Sequence, residues 1–159
     1  MPTVKEKPII AYPHEVKAIL NGQQTQFRRI VKGKWLTVVE KMLAEHGKYI
    51  WDISPHGDIG DRLWVRETFI HFERELEYAD VGVGSIPIAE LSPEQLIYRA
   101  DWSKREIASV KDDKSWKWKP STRMPRWASR INLEITGIRV EEIQRESNPY
   151  EWVTEFKVI

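Results

Sequence analysis

Between Ile131 and Val140 apolar and polar residues alternate, with Ile131, Leu133 and Ile135 set against Asn132, Glu134 and Thr136. A period of two sends successive side chains to opposite faces, so this stretch reads as a strand with one buried face. The segment Pro149 to Ile159 repeats the pattern, with Trp152, Thr154, Phe156 and Val158 against Val153, Glu155 and Lys157, and reads as a closing strand. Arg62 to Ile70 starts in the same way, Leu63 and Val65 against Trp64 and Arg66. Shorter runs complete the set. Pro8 to Pro13 is an edge strand or extended entry, Gln23 to Val31 runs into a strand, and Lys48–Ile53 and Ile97–Ala100 read as short strands. Helical spacing is confined to brief stretches. Val16, Ile19 and Leu20 share a face before an Asn21-Gly22 stop, and Leu36, Val39, Met42 and Leu43 form a second stripe. A third short helix is expected near Ser92–Leu96, where Ser92 caps and Pro93 takes the first turn. Long helices do not alternate with strands, which disfavours a doubly wound fold. The pattern predicts an α+β, mainly β chain, a small barrel of about five to six strands with flanking short helices.

At 159 residues the chain is expected to be a single domain, 1–159, with an exposed excursion at 73–119. It has no cysteine, which excludes disulfides, thiolate metal sites and a cysteine nucleophile. Its four histidines, His14, His46, His56 and His71, show no HxxxH spacing, so neither a metal nor a cofactor is expected. No apolar run approaches the roughly 20 residues that span a bilayer. Met1 to Lys7 is followed by no apolar secretory core. The expectation is a cytoplasmic protein without a membrane partner.

The net charge of +1 hides strong segregation. Residues 67–101 carry two Lys/Arg and eight Asp/Glu, whereas 111–130 carry seven and two. Three of the eight tryptophans, Trp116, Trp118 and Trp127, lie in or beside that basic block. Arg123, Arg126 and Arg130 surround Trp127 there. Arginine and indole can both stack on a base, and arginine also holds phosphate, so this segment has a nucleic-acid character. The alternative is a core Trp127 with arginines lying over it. Thr25 to Arg29 places two adjacent arginines on opposite faces of an extended backbone. One of Arg28 and Arg29 could bind phosphate while the other pairs with a carboxylate, or both could be solvated. Arg66-Glu67 ends a strand as a cleft lining or as an ordinary ion pair. No GxSxG, Walker, GxGxxG or HExxH motif occurs.

Four stretches carry a family resemblance: Ala18–Arg29, Gly60–Phe69, Tyr98–Asp101 and Trp118–Thr136. Together with the ending Asn148–Phe156 they make the chain resemble the ASCH domain family of the PUA-like superfold, in the form carried by bacteriophages and prophages. The resemblance implies a small β-barrel with a cleft beside the first helix, and binding of RNA, other nucleic acid or modified nucleosides. Some ASCH proteins remove an acyl group from acetylated cytidine, using a lysine and a threonine after the glycine turn and a later glutamate. Others have been linked to RNA cleavage. Here the lysine position is Gln24 and the threonine position is Phe27, and the glutamate segment is deleted between Gln144 and Asn148. An amide is no general base near neutral pH and a phenyl ring carries no proton to transfer.

The first expectation is therefore a non-catalytic binder of nucleic acid, RNA before DNA, or of a modified nucleotide. Its ligand-binding residues are Thr25, Arg28, Arg29, Trp64, Arg66, Glu67, Arg123, Arg126, Trp127 and Arg130. A second is a module that binds a host protein through the acidic segment 73–94. A third is a nucleoside amidohydrolase or nuclease with a rebuilt site at Glu67, Thr25 and Arg29.

Overall fold

A computed structural model describes residues 3–46, 54–71, 78–80, 85–87, 96–114 and 116–159. The expected strand at Lys48–Ile53 and the expected cap at Ser92 lie outside these residues. The chain is α+β and mainly strand, and it divides into two compact units: 1–9, 21–65 and 130–159 form the first, and 10–20 and 66–129 the second.

The first unit is built on a five-stranded sheet. Its strands are β1 (Glu6–Ile10), β2 (Gln26–Ile30), β3 (Arg62–Arg66), β8 (Asn132–Glu142) and β9 (Tyr150–Val158), in the order β1-β3-β8-β9-β2. β3 with β8, β8 with β9, and β9 with β2 are antiparallel. β1 runs parallel to β3, because the Arg62 amide donates to Lys5 O at 2.8 Å and the Ala11 amide to Arg66 O at 3.0 Å. The sheet is thus mixed.

It is also open, which corrects the expected barrel closure. Among the described residues β1 and β2 are its two edges and do not pair. Lys5 and Ala11 turn their backbone groups toward β3, so by strand parity Pro8 faces outward. A proline there removes the donor that a further strand would need.

The two alternating segments become the longest strands. The β8–β9 register slips between Ile135 and Gly137, so Thr136 is an inserted residue. The bulge switches which positions face inward: Leu133 and Ile135 are buried before it and Ile138 after it. Side chains on both faces of β9 are covered at Trp152, Val153 and Thr154. Phe27 of β2 is fully buried, its ring 4.9 Å from that of Phe156. Helix α2 (Lys34–His46) brings Trp35 edge-on to Trp152 at 6.3 Å.

The loop 54–61 is held by one carboxylate. Asp61 accepts from the amides of Lys5 at 2.9 Å and Asp58 at 3.0 Å. Burial raises its pKa, but these amides outweigh that effect and leave it below the ordinary value. Gly57 has φ 122°, and a Cβ there would lie 2.9 Å from Asp61 Oδ2, so glycine is required twice over.

The second unit contains helix α1 (Pro13–Leu20), strands β4 (Phe69–His71) and β7 (Leu96–Tyr98), and helix α3 (Lys104–Ser109). α1 ends at Leu20, and Gly22 just beyond it adopts φ 71° as the Asn-Gly stop predicts. β4 and β7 pair antiparallel, Phe69 opposite Tyr98 and His71 opposite Leu96. A separate backbone ladder joins β5 (Tyr78–Asp80) to β6 (Ser85–Pro87). The rest of the acidic segment 73–94 lies outside the described residues.

Residues 102–119, expected as an exposed excursion, instead include core. Trp116, 6 % exposed, packs with Ile70 and Val110, flanked by Ile97, Trp102 and Trp118. Ser103 and Glu106 cap α3 reciprocally, the Glu106 amide donating to Ser103 Oγ and the Ser103 amide to Glu106 Oε2. A second cluster joins Phe69, Met124 and Ala128 with Leu96 and Tyr98. No helix of the described residues is long and apolar enough to cross a membrane.

Candidate nucleic-acid interface

The second unit carries a cleft of about 360 Å³ lined by Phe69, His71, Lys119, Arg123, Pro125 and Trp127. Short polar links fix each wall. Phe69 and Lys119 exchange two backbone hydrogen bonds, at 3.2 and 2.8 Å, so Lys119 is pinned beside β4. The 3-10 turns Ser121–Arg123 and Arg126–Ala128 follow. Arg66 holds the first of them from the end of β3: its Nε donates to Met124 O at 3.2 Å and its Nη2 to Thr122 O. Tyr98 donates its hydroxyl to Ala128 O at 2.8 Å, fixing the second turn.

Trp127 stands at this rim 60 % exposed, with the His71 ring edge-on to it at 5.2 Å. A large aromatic left this exposed on a braced backbone presents a stacking surface, which argues against a core Trp127. Arg123 is exposed and Lys119 half-buried, and among the described residues no carboxylate pairs with either. Cations, one indole and an apolar floor of Phe69 and Pro125 can hold a flat aromatic group that bears an anion.

Of the ten residues predicted from sequence, Arg123 and Trp127 line this cleft. Arg66 braces its loop, Arg126 is exposed on the same turn as Trp127, and Glu67 is buried at 1 % exposure. These five belong to the second unit and the other five to the first.

In the first unit, Arg28 pairs with Glu141 at 2.6 Å and Glu151 at 2.5 Å. Those two hydrogen bonds, Glu141's the larger influence, keep its pKa above the ordinary value. Arg28 is thus paired with carboxylates. Arg29 places its guanidinium 4.9 Å from the centre of the Phe27 ring and donates to Arg28 O at 3.0 Å. Thr25 is exposed, and its carbonyl accepts from the Phe156 amide at 2.9 Å. Trp64 and Arg130 are half-buried, Trp64 on β3 opposite Asn132. Phe27 belongs to the core, and Gln24 donates to Gln26 O at 3.0 Å.

No protein-family model, curated protein or solved structure matches the chain.

Sequence reasoning missed four of the cleft residues: Phe69, His71, Lys119 and Pro125. His71 and Lys119 are 48 positions apart, and the Phe69–Lys119 bridge sets Lys119 beside the strand that carries His71. It also missed His56, whose Nδ1 lies 2.7 Å from Thr154 Oγ1 in the first unit. Burial first, then the charges of Arg29 and Lys7, push the His56 pKa down to about 4, so the ring is neutral at pH 7. Spacing gives no sign of this pair, which is separated by 98 positions.

Proposed function

We propose that this chain binds nucleic acid, RNA before DNA, or a nucleotide, through the cleft of its second unit. The observation that carries the reading is Trp127: an exposed indole on a braced turn, with Arg123 and Lys119 on the walls beside it. The bases of an unpaired strand can stack on such a ring, and its phosphates are drawn to the two cations. The resemblance to the ASCH family of the PUA-like superfold points the same way.

The test is intrinsic tryptophan fluorescence, titrated with single-stranded RNA, single-stranded DNA and duplex DNA at two salt concentrations. Binding of the RNA is expected to weaken with salt at a logarithmic slope of about −0.7 per phosphate neutralised. Arg123→Ala is expected to lower the magnitude of that slope by about 0.7. Absence of a response to all three polymers and to mononucleotides would remove this reading.

A further inference from the structure

One polar group of the cleft is left without a role by stacking and charge alone. Nε2 of His71 is buried and has no hydrogen-bond partner. Buried polar atoms in folded proteins are almost always satisfied, and an exception calls for a reason. A group that enters the cleft and supplies the missing bond is such a reason. The ring is also held where it would be useful. β4 carries it opposite Leu96 of β7, and Trp127 lies edge-on against it.

Size narrows what can enter. About 360 Å³ is near the lower end for ligand cavities, room for one base and its phosphate but not for several nucleotides at once. A base pair hides its Watson–Crick edge and, within a stack, both of its faces, so a duplex interior cannot offer a free face to Trp127.

Resting on the reading of this cleft as a nucleotide site, we infer that it is a single-nucleotide pocket. An unpaired base stacks on Trp127, its phosphate meets Arg123 and Lys119, and His71 Nε2 hydrogen-bonds the base edge and so sets the base preference. His71 Nε2 is buried and its ring lies edge-on to Trp127, so a base edge that reaches this nitrogen shifts the indole. Ligand entry therefore changes tryptophan emission even for weak ligands. His71 acts here as a specificity residue and performs no chemical step.

The experiment titrates the full chain, His71→Phe, His71→Gln and Trp127→Ala with AMP, CMP, GMP and UMP, with the four nucleosides, and with RNA homopolymers of eight nucleotides. Melting curves check that each variant is folded. The native chain is expected to favour one base at least about fivefold over the weakest, the discrimination that one hydrogen bond supplies. His71→Phe keeps a ring against Trp127 and should flatten the preference to within about twofold. His71→Gln keeps a hydrogen-bonding group and should change which base is favoured. Nucleosides should bind at least about fivefold more weakly than their monophosphates, and only the monophosphates should respond to salt. Equal affinity per site for a monophosphate and its homopolymer identifies a free nucleotide as the occupant, and tighter homopolymer binding identifies a base within a strand. A base preference unchanged in folded His71→Phe would overturn the inference. So would homopolymer binding without any monophosphate binding, which leaves the broader nucleic-acid reading standing. Silence toward every ligand would overturn both.

Discussion

Arg28 in the first unit and Arg123 in the second are both exposed arginines from basic stretches of sequence, yet their surroundings differ in kind. Arg28 sits on a sheet face where β8 and β9 supply Glu141 and Glu151, and both carboxylates bind it. Arg139 on the same face is likewise held by Glu141 and Glu155. Arg123 sits on a turn whose backbone is braced, and among the described residues no acid reaches it. Whether an arginine is open to an outside anion thus depends on the acids that the topology brings to it, which local charge density does not reveal. Arg28 and Arg139 are closed on the first unit's own carboxylates, whereas Arg123 meets no such carboxylate among the described residues.

The largest effect that would sharpen this contrast is a loss of stability in the first unit. Phe27→Ala removes a fully buried ring and is expected to cost about 3–5 kcal/mol in urea unfolding. A loss below about 1 kcal/mol would break the contrast. Next comes acid. His56 has a folded pKa of about 4 against 6.5 for the ordinary group, so below pH 6.5 the unfolded chain binds this proton first. Stability should therefore be intact above pH 6.5 and fall as the pH drops toward 4, by about 3 kcal/mol from this group. Urea titrations at pH 7.5 and pH 4.5 should show that portion of the loss in the native chain and not in His56→Gln. Trp127→Ala should do the reverse of Phe27→Ala: RNA affinity falls about 5- to 150-fold while stability stays within about 0.5 kcal/mol. His71→Phe removes an unpartnered buried nitrogen and should raise stability by about 1 kcal/mol, read as a higher urea midpoint. The smallest effect is Arg28→Ala, expected to leave RNA affinity within about twofold and the salt slope unchanged. A slope reduced as much as in Arg123→Ala would place Arg28 in the interface.

The strands at 132–142 and 150–158 were legible because alternation over many residues has one simple reading. The Thr136 bulge was not, since an inserted residue is defined only against the partner strand. The openness of the sheet also escaped the sequence reading, which expected a barrel. Alternation tells which face of a strand is buried, but it does not tell which edges meet. Pro8 becomes informative only once β1 is known to turn its odd-numbered residues toward β3. The candidate site divides along similar lines. Arg123 and Trp127 were visible because they lie four residues apart in a basic, aromatic segment. His71 was a lone histidine at the start of an acidic stretch, and Lys119 was one basic residue among seven. Trp116 and Trp127 look alike in sequence, yet one ends in a core and the other on a rim.

The two carbonyls bound by Arg66 belong to Thr122 and Met124, the neighbours of Arg123 on either side. The shape of that turn is therefore imposed from another strand and owes little to the side chain at its centre. Position 123 is in effect an exchangeable head on a fixed mount. Descendants of this chain, or a protein engineer, could replace the arginine there and retarget the cleft without rebuilding the loop. Arg66 has no such latitude, because a lysine in its place could not span both carbonyls with a planar fork.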